Sequence, residues 1–324
     1  MHTAEILFEK VKEALKTVDL NGRPNELYVP ISYTLSLGGK RIRPVLVLLT
    51  CEMFEGNLES AIYPAIAIEV FHNFTLLHDD IMDNAPIRRG KETVFKKWNA
   101  NIAILSGDTM FALAYKYLIK TEKENLNNIL EIFTNAAIEV CEGQQYDMNF
   151  ETIDNVSVED YIEMIRLKTA VLIAASMKTG AVIGKAKKQD AENIYKFGEY
   201  IGLAFQLQDD LLDVYADQDK FGKKIGGDIV TNKKTYLYIK ALQDAKGDDL
   251  KKLQHYFSST DFNAEEKVNA VKKIYDNIGV REATVKLINQ YYEKALEYFK
   301  MINVPEERKN VLKKFTDQMM QRDF

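Results

Sequence analysis

Cysteine, proline, tryptophan and histidine are all scarce in this sequence, and most of these shortages remove a class of protein. Two cysteines, Cys51 and Cys141, in 324 residues cannot build a disulfide framework or a cysteine-rich zinc site, and they favour a reducing, cytoplasmic setting. Six prolines and 16 glycines are too few for a collagen-like or low-complexity chain. None of the four histidines has zinc-like spacing to a second ligand. No charge sign dominates: 43 Lys and Arg against 48 Asp and Glu leave a net charge of −5. That balance argues against nucleic-acid binding while allowing a local basic pocket for an anion. The most hydrophobic run, residues 102–119, includes Asp108 and Lys116, which are costly in a bilayer. It is expected to be a buried core helix, so no integral membrane segment is expected. The N-terminal stretch MHTAEILFEKVKEALK is amphipathic and lacks the long apolar core of a signal peptide.

What is present is a soluble globular balance: 46% apolar, 28% charged and 10% aromatic residues. Apolar residues recur with helical period over 6–15, 45–54, 61–77, 102–119, 126–140, 161–183 and 194–212. Strand-like alternation between Asn-Gly or Asp-Gly turns hardly appears. The pattern predicts an all-α fold, a bundle of about a dozen helices. Breakpoints fall at Asn21–Pro24, Gly38-Gly39, 84–90, 153–157, 221–228 and 303–305, none long enough for a linker. One domain spanning 1–324 is therefore expected, its last part from about residue 240 being peripheral helices richer in Lys and Glu.

One pattern occurs twice. Leu77-His78-Asp79-Asp80-Ile81-Met82-Asp83 and Leu207-Gln208-Asp209-Asp210-Leu211-Leu212-Asp213 each place DDxxD at the end of a long apolar helix. The first and last Asp of each lie about 40° apart round the helix and roughly 6 Å along it. Like charges at that spacing repel, and carboxylates at a helix C-terminus oppose its dipole. A hard divalent cation reverses both penalties, and few carboxylates with open positions suit Mg²⁺, which shares water and phosphate oxygens. A solvated acidic helix end is the plain reading of one such motif; two copies behind apolar helices favour the metal.

Cations lie beside both motifs in sequence. Gly38-Gly39-Lys40-Arg41-Ile42-Arg43-Pro44 is a glycine turn entering a helix, where Lys40 and Arg43 can face one anion together with free N–H groups. Arg88-Arg89-Gly90 follows the first motif, and Lys223, Lys224, Asp228 and Lys233 follow the second. Lys168-Thr169 stands in an otherwise apolar helix, a place where a lysine needs a partner. His72 precedes Asp79 by two turns and is read equally as a cavity residue or a satisfied core histidine. No Ser-His-Asp or Cys-His order, Walker A loop or dinucleotide fingerprint is legible. Carboxylates, Mg²⁺ and cations without a nucleophile describe a diphosphate-binding site.

GGKRIRP, LLHDDIMDNAPIRRG, LSGDTMFA, EGQQYDM, RLKTA, FQLQDDLLD and GKKIGGDIVTNKKT occur in that order. Together, over about residues 30–240, they resemble the trans-type isoprenyl diphosphate synthases, or polyprenyl synthetases. The resemblance implies a homodimer of all-α subunits of the isoprenoid synthase type, each with a central cavity, that condenses isopentenyl diphosphate with an allylic diphosphate. It implies about three Mg²⁺ ions, with Asp79 and Asp83 holding two and Asp209 a third. Asp80 and Asp213 would orient ligands and waters, and Asp228 would support a metal-bound water. Arg88, Lys168, Thr169, Gln206, Lys224 and Lys233 would hold the allylic diphosphate, with Lys223 the alternative to Lys224. Lys40, Arg43, His72 and Arg89 would hold isopentenyl diphosphate. Gln144 and Asp147 would stand near the reacting carbons.

By the same resemblance, bulk just before the first motif sets the floor of the tail pocket. The fifth residue before Asp79 is Phe74 and the fourth Thr75, a pattern that leans to a C15 or C20 product, with C20 ahead. A helical wheel instead puts Phe71 and Thr75 nearer the carboxylate stripe, and core packing is as good a reading of Phe71 and Phe74. Four alternatives remain open at this point: a longer-chain synthase, a terpene cyclase, a non-catalytic regulatory subunit and a plain helical scaffold.

Overall fold

The computed structural model describes residues 1–216, 225–258 and 262–320. Helices dominate. In chain order they are α1 Ala4–Lys16, α2 Asn25–Ser36, α3 Ile42–Met53, α4 Leu58–Met82, α5 Val94–Lys97, α6 Ala100–Leu118, α7 Lys123–Thr152, α8 Val158–Ile165, α9 Val171–Ile183 and α10 Lys188–Tyr215. Six further helical segments follow among the described residues: Gly227–Val230, Tyr236–Asp244, Gly247–Ser258, Ala264–Asn277, Val280–Met301 and Glu306–Met320. The all-α prediction holds, with more segments than a dozen. Among the described residues the one sheet is a two-residue hairpin, Ile87–Arg88 with Lys91–Glu92.

The chain divides into two compact units, the first Met1–Asn135 with Ala175–Ile194 and Asn303–Lys313, the second Ala136–Ala174 with Tyr195–Ile302 and Lys314–Phe324. In the first unit, α4 packs against α3 and α6. Asn57 caps α4 by accepting from the Glu59 N–H at 3.0 Å. Burial of Ile66, Ile68, Val70, Phe71 and Leu77 anchors it, each side chain contributing about 1.5–3 kcal/mol. The helix stops directly behind the first acidic motif. Asn84 takes left-handed φ (49°), and the Ala85 N–H returns to the Asp80 carbonyl at 2.9 Å, a Schellman closure. Asp83 is therefore the capping residue. Among the described residues α4 is also the one helix long and apolar enough to cross a membrane, and 67% of its apolar window is buried.

Two expectations need correction. Residues 102–119 do not form a fully buried helix. One face of α6 is buried through Ala103, Ser106, Gly107, Met110 and Ala114, while Ile104 (42% exposed) and Leu105 (58%) face out, because apolar residues occupy both sides of the wheel. Residues 161–183 are not one regular helix either. A π-helical turn, Arg166–Ala170, separates α8 from α9. Gly143 lets the chain come close there: a Cβ on it would meet the Lys168 backbone nitrogen at 2.3 Å. In the second unit α10 packs Leu203, Leu207, Leu211 and Val214 into a core with Tyr161, Ile165, Leu237, Val271 and Tyr275.

Candidate active site

In the first unit the acidic helix end meets the glycine turn and the hairpin. Gly38 (φ 76°) and Gly39 (φ 127°) take backbone angles that side chains disfavour. Gly39 is also bare for a second reason: a Cβ there would lie 2.7 Å from the Arg89 guanidinium carbon, and Arg89 donates to the Gly38 carbonyl. Arg41 closes the turn in left-handed φ (46°). Its guanidinium is buried, donating to the Glu69 carboxylate and, at 2.6 Å, to the Leu35 carbonyl. The Asn73 amide donates to Glu69 Oε1 at 2.8 Å. α3 then starts at Ile42, which brings Arg43 to His72: an Arg43 N–H meets His72 Nε2 at 3.1 Å. Since a guanidinium only donates, Nε2 is the acceptor and His72 is neutral.

Arg88 reaches back from the hairpin to Asp80, Nε to Oδ1 at 2.6 Å. Burial pushes the Asp80 carboxyl up to about 6; Arg88 opposes this, and Asp79 and Asp83 add to it. Arg41 and Arg88 thus each hold a buried carboxylate, and with Arg43 and Arg89 they surround His72. Burial, then the charges of Arg43, Arg89, Arg88 and Arg41, hold His72 well below its usual 6.5. A depressed base favours the folded state fully above the unfolded value, and that share is lost as pH falls through the folded one. Wild type is therefore expected to lose stability on acidification below about pH 6.5 by a component absent from His72→Gln, read as the difference in urea midpoints from pH 8 to pH 5.

In the second unit the end of α7, the π-helical turn and the end of α10 supply the side chains. Lys168 pairs with Asp147 at 2.6 Å, and Lys233 lies 3.8 Å from the same carboxylate. Burial pushes the Asp147 carboxyl up, but Lys233 and Lys168 outweigh it and hold the group below its ordinary value. Thr169 Oγ1 donates to Gln206 Oε1 at 3.0 Å, and Gln206 Nε2 to Asp210 Oδ1 at 3.0 Å. The Tyr161 hydroxyl donates to the other Asp210 oxygen. Burial and the charge of Asp228 push the Asp210 carboxyl up to about 7. Asp213 accepts from the Asp228 N–H at 3.0 Å, and its carbonyl from the Gly226 N–H at 2.6 Å.

The expected site residues therefore fall into two groups: Lys40, Arg43, His72, Asp79, Asp80, Asp83, Arg88 and Arg89 in the first unit, and Gln144, Asp147, Lys168, Thr169, Gln206, Asp209, Asp213, Asp228 and Lys233 in the second. Lys223 and Lys224 lie outside the described residues, as do residues 321–324. Sequence reading missed Arg41, Glu69, Asn73, Tyr161 and Asp210 as partners. An acid inside the apolar run AIAIEVF was a legible signal for Glu69, since a buried carboxylate requires a partner.

The candidate floor residues join an aromatic cluster of the first unit. Phe74 stacks on Phe111 (centroids 5.3 Å, planes 25° apart) and touches the His78 ring at 4.7 Å. Phe71, fully buried, contacts Phe74, Phe111 and Phe133 at 5.5, 5.7 and 5.2 Å. Thr75 turns its hydroxyl back to the His72 carbonyl at 2.9 Å.

A divalent metal is the group these motifs invite. Among the described residues no three carboxylate, His or Cys groups converge on one point. Each motif instead offers an all-oxygen pair at helical spacing, with cations for a phosphate nearby. That donor set fits Mg²⁺, which takes one or two carboxylates and fills its remaining positions with water and phosphate.

Residues 24–278 match the family model for polyprenyl synthetases. The chain is 37% identical over 305 residues to the geranylgeranyl diphosphate synthase of Methanosarcina mazei, covering 93% of this chain and 91% of that one. A crystal structure of a geranylgeranyl pyrophosphate synthase superposes with TM-score 0.95 at 43% identity, covering 100% of both chains. The Pyrococcus horikoshii geranylgeranyl pyrophosphate synthetase gives 0.89 at 33% identity over 99% of this chain and 96% of that one. The chain belongs to the polyprenyl synthetase family. Within it, it is a short-chain trans-isoprenyl diphosphate synthase and so a transferase.

Proposed function

We propose that the protein condenses isopentenyl diphosphate with an allylic diphosphate, head to tail, to give a linear C20 prenyl diphosphate and pyrophosphate. One observation supports this reading: each unit that carries an acidic helix end also holds cationic side chains against buried or half-buried carboxylates. Arg88 is paired to Asp80 in the first unit, and Lys168 and Lys233 flank Asp147 in the second.

Asp79, Asp83 and Asp209 would hold Mg²⁺. Metal held there would supply Lewis-acid stabilisation of the charge on the departing pyrophosphate. Lys168 and Lys233 of the second unit would bind the diphosphate of the allylic substrate, with Thr169 and Gln206 fixed beside them through their mutual hydrogen bond, and Arg88 is the diphosphate-binding cation of the first unit. Lys40, Arg43 and Arg89 bind the diphosphate of isopentenyl diphosphate. Neutral His72 orients Arg43 by accepting its N–H. Preorganised cations of this kind need no rearrangement as negative charge develops. The allylic C–O bond breaks, the C3–C4 double bond of isopentenyl diphosphate attacks the cation, and the C2 proton passes to pyrophosphate. Asp147 stands between two lysines and so keeps them aligned. Asp80, Asp213 and Asp228 support the ligands around them, and Gln144 lines the approach to the reacting carbons.

The polyprenyl synthetase domain spans 1–324, and the working unit is a homodimer. The exposed apolar residues Ile104 and Leu105 on α6 support that assembly, and the free thiols of Cys51 and Cys141 support a cytoplasmic setting. Incubating the protein with Mg²⁺, isopentenyl diphosphate and dimethylallyl, geranyl or farnesyl diphosphate should give a discrete C20 product by mass spectrometry. No condensation with any starter would overturn the reading in favour of a regulatory subunit or a cyclase. Phe74→Ala should shift the product to C25 or longer, because truncation leaves a void beside Phe111. An unchanged product would remove Phe74 from the pocket floor.

A further inference from the structure

Helix Ala264–Asn277 carries neither acidic motif, and its sequence AEEKVNAVKKIYDN reads as a solvated peripheral helix. Lys267 breaks that reading, because it is fully buried. An ammonium is costly to bury unless it is hydrogen-bonded. Its Nζ donates to the Asn232 side-chain oxygen, and it lies over the Phe262 and Phe257 rings at 4.2 and 5.1 Å. Burial lowers its pKa to about 8. The next residue, Val268, packs against Gly226, where a Cβ would come within 2.6 Å of the valine methyls. Two consecutive side chains of one helix thus grip both ends of the segment 226–232.

That segment carries the second motif's loop chemistry. At its start the Gly226 and Asp228 N–H groups bond Asp213 at 2.6 and 3.0 Å. At its end Asn232 takes left-handed φ (60°), and the Lys233 N–H returns to the Asp228 carbonyl at 2.8 Å. Lys233 leaves this turn with its ammonium 3.8 Å from Asp147. Glycine would satisfy the backbone at position 232 at no cost. Asparagine tolerates it as well, and also offers an oxygen to Lys267.

We propose that Lys267 is a positioning residue for diphosphate binding. Through Asn232 it fixes the left-handed turn that sets Lys233 toward Asp147 and Asp228 against Asp213, and it touches no substrate. The proposal rests on the reading of Lys233 as a ligand of the allylic diphosphate.

The test is steady-state kinetics on the full chain with Mg²⁺, for Lys267→Met, Asn232→Gly, the double variant, Asn232→Asp and Lys233→Ala. Lys267→Met and Asn232→Gly should each raise KM for the allylic diphosphate about tenfold, the effect of losing alignment from one charged hydrogen bond. KM for isopentenyl diphosphate should stay unchanged. The double variant should be no worse than either single one, as expected for two residues acting as a unit. Asn232→Asp keeps both the acceptor and the tolerance of left-handed φ, so it should retain the wild-type KM.

A lower melting temperature with both KM values unchanged, or additive effects in the double variant, would overturn the proposal. If Lys267→Met fails to fold, the contrast between Asn232→Gly and Asn232→Asp decides. Lys233→Ala separates the two levels. If it raises the allylic KM while Lys267→Met does not, only the positioning role falls. If Lys233→Ala leaves the allylic KM unchanged, the ligand assignment falls with it.

Discussion

Asp79→Ala is expected to cut turnover on the order of 10³-fold, the scale seen when electrostatic stabilisation of a transition state is removed, without lowering the melting temperature. The two halves of that expectation have different origins. The backbone bond from the Asp83 N–H to the Asp79 carbonyl, at 2.8 Å, does not need the side chain. Alanine is the better helix former, and the change removes one of three like charges at a helix C-terminus, where the dipole disfavours them. A carboxylate kept against those penalties fits the proposed role of Asp79 in holding a metal. The check is kcat with saturating Mg²⁺ and both substrates, alongside thermal unfolding with and without Mg²⁺ and pyrophosphate. Asp209→Ala should behave in the same way in the second unit. Full activity in both variants would remove the metal from the acidic motifs.

The largest effect on stability is expected at a residue outside the acidic motifs. Glu69→Ala leaves the buried Arg41 guanidinium without its carboxylate and strips the Asn73 amide of its side-chain acceptor. Breaking a buried pair by removing one partner costs about 3–5 kcal/mol, whereas replacing both partners with apolar groups is often neutral. Glu69→Ala should therefore lower the melting temperature by about 4–7 °C for a chain of this length. Arg41→Met with Glu69→Leu should recover most of the loss. Equal melting temperatures for Glu69→Ala and wild type would show that the pair contributes nothing. The double variant carries a second readout. Arg41 closes the glycine turn in left-handed φ, so its KM for isopentenyl diphosphate should rise even where stability is restored.

Features legible in the sequence were those whose physics is local. The glycine turn into α3, the carboxylates at the ends of α4 and α10, and a lysine in need of a partner at 168 each follow from neighbours a few residues away. Lys168 does have its partner, Asp147. Pairings across long separations were out of reach: Arg41 with Glu69, Lys267 with Asn232, and Phe74 with Phe111 depend on which helices pack together. The π-helical turn at 166–170 was invisible for another reason. A 3.6-residue period counts apolar positions and does not register one extra residue in a turn. The outward face of α6 was misjudged because composition identifies a hydrophobic helix without saying which side finds a neighbour.

The two acidic motifs share a sequence pattern and differ in stiffness. Asp213 lies inside α10, its carboxylate held by the Asp228 N–H. Asp83 sits one residue past the last helical position of α4, exposed, at a chain reversal set by Asn84. Ordering a side chain on ligand binding costs conformational entropy in proportion to the freedom it had before. In the proposed metal complex that cost falls more on the first motif than on the second, where Asp213 is already held by a backbone N–H. Calorimetry should accordingly find metal and pyrophosphate capture at the α4 end the more entropically opposed of the two, and the more sensitive to temperature.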